Sequence, residues 1–523
     1  MASHAQPWVE TMQEKPVAIG CGTVLGVDAT PVTIEVTNHG EVERGPKILG
    51  LVDMVVREAY HRILCAYMAS GIPSPRGIPT INFLPAGIRK RGSCFDLPMA
   101  LALAGASDLV PRQQFANLAA LGEVTLEGKI LPVCGAVAIA IAARDQGRHQ
   151  ILSSRTDAEA AAIVPGINIY GVETLAEAVS WLLGKRKLQP ARPRRAAPPP
   201  QPLDLEDIHG HETPKTALVV AAAGRHNLLF AGPPGSGKSA LVRRLPGLLP
   251  PANTDEALEI IKIHTLTNPA RSAASASRSR PLRSPHHTSS AVSLLGGGSD
   301  PRPGEVTLAQ NGVLFLDELP EFRREALEGL RQPLEDGSIT IGRALRTVTM
   351  PADFLLVGAM NPCPCGYLGH PTRPCVCPPS GQQRYFRKLS GPLIDRFDLQ
   401  VEVPALDPSC FRQASDPAWS TTVLRERVLV AFDRQRHRNN SAQGWKPNGR
   451  LEDHQLERVA GSDDRVHDTL EDLLRIYKMS GRSRVRILRI ARTLADLDDR
   501  DDLTVADIRQ ATRLRGAGAL LDA

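Results

Sequence analysis

"HNLLFAGPPGSGKS" (226–239) decides the fold. An apolar strand-like run, Leu228 to Phe230, enters a glycine-rich turn that opens onto a helical pattern from Ala240 to Leu245. The last eight residues fit GxxxxGK[ST], and the glycines let backbone N–H groups wrap a row of phosphates. Gly232, Pro233, Pro234, Gly235, Ser236, Gly237, Lys238 and Ser239 are thus the expected ATP-binding loop. Lys238 would reach the β- and γ-phosphates, and Ser239 would ligate Mg²⁺. A glycine-rich turn without a ligand is the bland alternative, and the strand and helix on either side argue against it.

Working outward, "GVLFLDELP" (312–320) reads as a buried parallel strand ending in two acids. Asp317 would hold the Mg²⁺ shell, and Glu318 would orient or activate the attacking water. "FLLVGAMNP" (354–362) is a further apolar strand, and Asn361 at its end is suited to position that water. "LIDRFDLQVEV" (393–403) puts Arg396 at a loop edge, as an arginine finger requires. A local salt bridge to Asp395 or Asp398 is the competing explanation.

These motifs, in this order, resemble an AAA+ ATPase. The segment 283–322, with "NPCPCG" (361–366), is similar to the magnesium-chelatase-like branch and in particular to the YifB/ComM competence proteins. By that likeness Arg482, in "SGRSR" (480–484), matches the sensor-2 arginine at the start of a lid helix. Completion of each site by a neighbour's arginine implies a homo-hexameric ring.

The resemblance extends to the N-terminus, which is similar to the domain shared with Lon-type proteases. A Ser–Lys dyad would run that chemistry, with the lysine taking the serine's proton. Here the serine position falls on Cys94 and the lysine position on Val137, which cannot accept a proton. Ser93 stands next door, and no base is identifiable for it or for Cys94. The expected organisation is therefore α/β multidomain. A Lon-protease-like (S5-type) α/β domain, inactive as a protease, spans 1–184, and a basic, proline-rich spacer spans 185–203. A P-loop AAA+ α/β core covers 204–407, and an α-helical lid covers 408–523. Thr504 and Asp507 offer a capping box for its last helix.

Two insertions could line a central pore. One is 283–311, with the glycine-rich "LLGGGSDPRPG" (294–304). The other is "GSITIGRALRTVTM" (337–350), whose alternation predicts a hairpin with Arg343 and Arg346 at its tip. Cations at a moving tip suit a phosphate backbone, although a solvated hairpin reads the same way. Arg482, Arg484, Arg486, Arg489 and Arg492 add a cationic density in the lid, more commonly a solvated face. His286 and His287 lie on a loop without an acid nearby in sequence, so a structural role is preferred to metal binding.

Four of the nine cysteines, Cys363, Cys365, Cys375 and Cys377, form two CxC pairs between Asn361 and Arg396. So short a stretch cannot bury enough apolar surface to order itself, and a Cys₄ zinc site would fold it. His370 is a possible substitute ligand; disulfides and free thiols are the alternatives.

Composition constrains the rest. At 523 residues several domains are expected, and a net charge of +6 leans weakly towards an anionic partner. Aromatics are 4%, so a row of base-stacking rings is not expected. No secretory signal opens the sequence, and "ILPVCGAVAIAIAA" (130–143) is too short to span a bilayer. A cytoplasmic protein without membrane partners follows. The likeness to the competence ATPases implies an ATP- and Mg²⁺-dependent hexameric DNA translocase or helicase that promotes branch migration on single-stranded or branched DNA. The rival is a chelatase-like or protein-remodelling ATPase. As a family, chelatase motors lack this N-terminal domain and the cysteine stretch.

Overall fold

The computed structural model describes residues 15–39, 45–75, 77–193, 203–267, 279–298, 301–343, 346–412, 416–439, 445–461 and 463–516. The chain divides into two compact units: 1–197 with 261–277, and 198–260 with 278–523. The helix Thr254–Thr265 falls across that division, so from Ile261 it groups with the first unit rather than with the expected ATPase span.

The first unit is built on a seven-stranded sheet. Val17–Leu25 and Asp28–His39 form an antiparallel hairpin, whose turn is made possible by Gly26 at φ +67°. The strand Ile78–Leu84 pairs with the second arm of the hairpin. On the other side Leu118–Ala120, Gln150–Ser154 and Asn168–Val172 follow in parallel. The helix Asp96–Ala106, apolar on every side in sequence, is buried at all of its positions. Cys94 is buried just ahead of it, and Val137 is buried in the helix Ala136–Asp145.

Residues 185–193, at the start of the expected spacer, carry no helix or strand and are nonetheless tied to the first unit. The Lys185 and Arg186 amides donate to the Ser180 carbonyl, and the Ala191 amide donates to Ile169 on the edge strand. Proline and charge argue for a free linker in isolation, but an open sheet edge offers acceptors that the sequence does not advertise.

The second unit carries a five-stranded sheet in the order Leu282–Arg283, Val313–Leu316, Leu355–Met360, Leu228–Ala231, Leu399–Glu402. Every pair is parallel. Strands covered on both faces read as continuous apolar runs, and the three that precede the P-loop, the acids and Asn361 are fully buried. Their carboxyl ends therefore meet on one edge of the sheet. Beyond residue 417 the unit is helical: Thr421–Arg438, Asp453–Ala460, Asp464–Ile476, Gly481–Leu497 and Val505–Leu514. The capping box forms as expected, with Thr504 and Asp507 bonding reciprocally.

The two insertions both contain paired strands. Ser338–Arg343 and Arg346–Pro351 pair antiparallel with Arg343 opposite Arg346. Ala344, Leu345 and the side chains of both arginines lie outside the described residues. In the other insertion, expected as a flexible tip, Gly296–Gly297 pairs with Arg302–Pro303. A Cβ on Gly296 would sit 3.2 Å from Ile341, so the two hairpins are neighbours.

Candidate nucleotide-binding site

At the carboxyl edge of the second unit's sheet, Lys238 opens the helix Lys238–Val242 behind a turn in which Gly235 and Gly237 have φ of +78° and +90°. Its Nζ donates to the carbonyls of Gly232 (2.7 Å) and Pro233 (2.9 Å) and to Asn361 Oδ1 (3.3 Å). Burial lowers the pKa of this amine, with Asp317 opposing the shift. Gly232 cannot be replaced without moving the loop, because a Cβ there would lie 2.1 Å from the Val403 carbonyl. Ser236 Oγ is buried and has no hydrogen-bond partner among the described residues. A buried cation satisfied by carbonyls alone, together with an orphaned hydroxyl, fits an anion with several acceptor oxygens.

Ser239 Oγ donates to Asp317 Oδ2 at 2.7 Å, so the two oxygens expected around Mg²⁺ are already adjacent. Asp317 Oδ1 accepts the Glu318 amide, and Glu318 takes the left-handed conformation at φ +52°. The sequence-expected Lys238, Ser239, Asp317, Glu318 and Asn361 are thus brought together.

One neighbour was not expected. His287 Nδ1 lies 2.9 Å from Glu318 Oε2, which corrects the reading of this histidine as remote from any acid. Strand pairing explains the meeting. Arg283 pairs with Leu314, and His287 and Glu318 each stand four residues further along. The His286 ring stacks on His287, its centroid 4.2 Å away, and its Nδ1 accepts from the Thr288 amide. The equal offset is a signal in the sequence, but a strand of two residues is too short to be recognised there.

Arg396 and Arg482 stand in a second cluster. Arg396 pairs with Glu335, not with Asp395 or Asp398, and its Nη1 donates to the Pro392 carbonyl at 3.2 Å. Burial lowers its pKa, and so does repulsion from Arg486, Arg482 and Arg331. Arg482, largely exposed, reaches Asp395 at 3.7 Å from the start of its helix. Among the described residues, no hydrogen bond or ion pair joins either arginine to Lys238, Asp317, Glu318 or Asn361. The helix does not present a row of free cations. Arg486 bridges Asp395 and Asp398, Arg489 donates to the Leu451 carbonyl, and Arg492 is buried against Asp496 at 3.1 Å. Residues three or four apart share a helix face, and the face of Arg486, Arg489 and Arg492 is turned inward.

The four cysteines converge, with all their sulfurs within 4.8 Å of one another. Amides of Cys365 and Leu368 donate to the sulfurs of Cys377 and Cys363, as thiolates bound to a metal would require. Burial pushes the Cys363 thiol up to about 12, whereas the backbone N–H groups of Tyr367 and Val376 hold Cys365 down to about 6. The four-thiol donor set and its convergence fit a tetrahedral zinc ion, although one residue between paired cysteines is tighter than the usual two to four. His370 does not join the gathered ligand atoms; its Nδ1 accepts from the amides of Thr372 and Arg373. Gly366, at φ +84°, brings the knuckle against the P-loop: a Cβ there would lie 2.6 Å from Pro234.

In the first unit Cys94 is enclosed, its thiol directed at the Gly22 carbonyl, and its pKa is raised by neighbouring Cys21 and by burial. No lysine meets it among the described residues. Ser93, for which the sequence offered no base, donates to Glu123 Oε2 at 2.5 Å.

Comparison with known proteins agrees along the length of the chain. The family profile described as magnesium chelatase, subunit ChlI, matches residues 204–410, and its C-terminal counterpart matches 418–515. A profile described as subunit ChlI of Mg-chelatase matches 34–157. Contrary to the expectation that chelatase motors lack this N-terminal domain, the segment does not by itself separate the chain from chelatase subunits. Full-length relatives include the uncharacterized protein YifB of Escherichia coli, 38% identical over 95% of this chain and 96% of that protein. YifB of Salmonella typhimurium is equally similar. The competence protein ComM of Haemophilus influenzae is 38% identical over 95% of this chain and 97% of its own length. Among the described residues no helix is long and apolar enough to cross a membrane.

Proposed function

The chain belongs to the magnesium-chelatase-like family of YifB and ComM, and from that premise we propose an ATP-driven, hexameric DNA translocase that promotes branch migration. The observation that carries the ATPase half is the meeting of Lys238 with Asn361 and of Ser239 with Asp317 on one sheet edge. The name of the ComM relative supports a role in handling incoming DNA. Bound Mg²⁺ would neutralise charge on the phosphates being parted. Lys238 and the loop amides bind those phosphates, Ser239 and Asp317 hold the metal, and Glu318 takes the proton of a water that Asn361 orients. Arg396 and Arg482, clustered away from their own Lys238, act on the site of the next subunit. The first unit serves as a Lon-like fold without its dyad, the helices after residue 417 as a lid, and the adjacent hairpins grip phosphates. The cytoplasm is where such a motor would meet its substrates.

The test is ATP hydrolysis with and without branched DNA, followed by strand movement on a Holliday junction. The parent is expected to be stimulated by DNA and to move strands, and Lys238→Ala to do neither. The chelatase-like reading draws on the three profile matches. Indifference to DNA with stimulation by a protein partner would select it.

Arg396→Ala supplies a second check. It should lower hydrolysis by about 10³-fold, the range in which arginine fingers act, while nucleotide binding persists. Mixing it with Lys238→Ala subunits should restore some hydrolysis, because intact P-loops then meet intact fingers. Full activity from an isolated Arg396→Ala protomer would refute sharing between subunits.

A further inference from the structure

After the helix Leu175–Leu182 the chain turns back along the edge strand, held by the Ala191 amide on Ile169. Arg155, Glu159, Glu177, Arg186, Lys187 and Arg192 line the resulting groove, a cavity of about 680 Å³. Its acids do not neutralise it. Glu177 is buried and already committed, to the Arg186 guanidinium at 2.9 Å and to the Glu173 amide at 2.9 Å. Arg155 is balanced from outside the groove by Glu173 at 2.9 Å. Lys187 and Arg192 have no ion pair or hydrogen bond among the described residues, and only Glu159 stands against them without a partner. Arg194 and Arg195 come next in the sequence.

We propose that this groove binds the phosphates of a single nucleic-acid strand, apart from the nucleotide site and outside the hairpins. Cations left unpaired beside a polar cavity suit an anion that arrives with its own charge. Lys187 and Arg192 stand five positions apart, a reach of up to about 17 Å of chain. That spacing suits a ligand carrying phosphates on successive nucleotides better than a lone phosphate. No glycine-rich turn is present to wrap a pyrophosphate, so the contacts give grip without reading sequence.

The proposal rests on the DNA reading above, and its test separates the two. Full-length parent and Lys187→Glu/Arg192→Glu protein, matched by Tm, are titrated against a fluorescein-labelled single-stranded oligonucleotide over a range of NaCl without ATP. Both side chains are exposed, and Lys187→Gln/Arg192→Gln provides a milder variant. Losing two phosphate contacts should make the slope of log K against log salt shallower by about 1.4, at ~0.7 per contact on a single strand. Affinity at low salt should fall about tenfold or more, with the glutamine variant between. Unaltered affinity and slope in a protein whose hydrolysis DNA still stimulates would overturn the groove alone. A parent that binds no oligonucleotide would overturn both readings. Displacement by sodium tripolyphosphate at matched phosphate concentration would overturn the strand as ligand.

Discussion

Glu318→Gln protein binds ATP as the parent does and hydrolyses it about a hundredfold more slowly, or worse. The amide keeps the shape of the carboxyl group and can still accept from His287 Nδ1, so the local packing survives. What it loses is the capacity to take a proton. A positioned general base contributes about 10²–10⁴-fold, which is about 3–5 kcal/mol of barrier at 1.36 kcal/mol per decade. Lys238→Ala should fail differently. Its amine donates to two loop carbonyls and to Asn361, so removing it unties the loop and takes away the cation that meets the phosphates. Nucleotide binding then falls along with turnover. Phosphate release and fluorescent-nucleotide titration, run on both variants, separate the two failures. Turnover by Glu318→Gln within threefold of the parent would show that another group takes the proton.

The parts of this site that were legible in the sequence share one property: each follows a strand buried on both faces. An apolar run followed by a glycine turn, by two acids or by Asn–Pro can be read locally, because parallel strands put their carboxyl ends on one edge whatever lies between. Position then follows from sheet order alone. What escaped depends on pairing at a distance. His287 needs the register of a two-residue strand. Arg492 looks like one more surface cation until Asp496, one helical turn on, and the carbonyls of Arg500 and Asp501 enclose it. Residues 185–193 carry the composition of a free linker and are tied to the end of the preceding helix and to the edge strand. His370 has the right chemistry for a metal ligand, and its own loop's amides claim its ring nitrogen first. Composition gives capacity in each case, and the tertiary neighbour decides whether that capacity is used.

Stripping metal from the cysteine knuckle should weaken nucleotide binding about tenfold, at 1.4 kcal/mol per decade, as well as unfold residues 363–377. The coupling follows from two contacts. Cys363 is two residues beyond Asn361, which receives the Lys238 amine, and the Gly366 turn packs on Pro234 of the P-loop. Apparent binding energies of about 10–16 kcal/mol are typical for structural zinc, and beyond Cys363 and the Gly366 turn a loop this short buries little that could order it. Four sulfurs gathered within 4.8 Å have little reason to stay there as thiols. The parent should carry about one zinc per chain by elemental analysis, the stoichiometry of a four-ligand site. Cys375→Ser removes one half-exposed ligand and leaves the buried Cys363 in place, and it should lose the metal and bind ADP more weakly by calorimetry. Treatment of the parent with 1,10-phenanthroline should give the same loss, and added zinc should reverse it. Reciprocity makes the test stricter, because whatever factor zinc adds to nucleotide affinity, nucleotide must add to zinc affinity. Zinc-free, stable protein whose four knuckle cysteines titrate as free thiols, with undiminished ADP binding, would sink both the metal site and its connection to the P-loop.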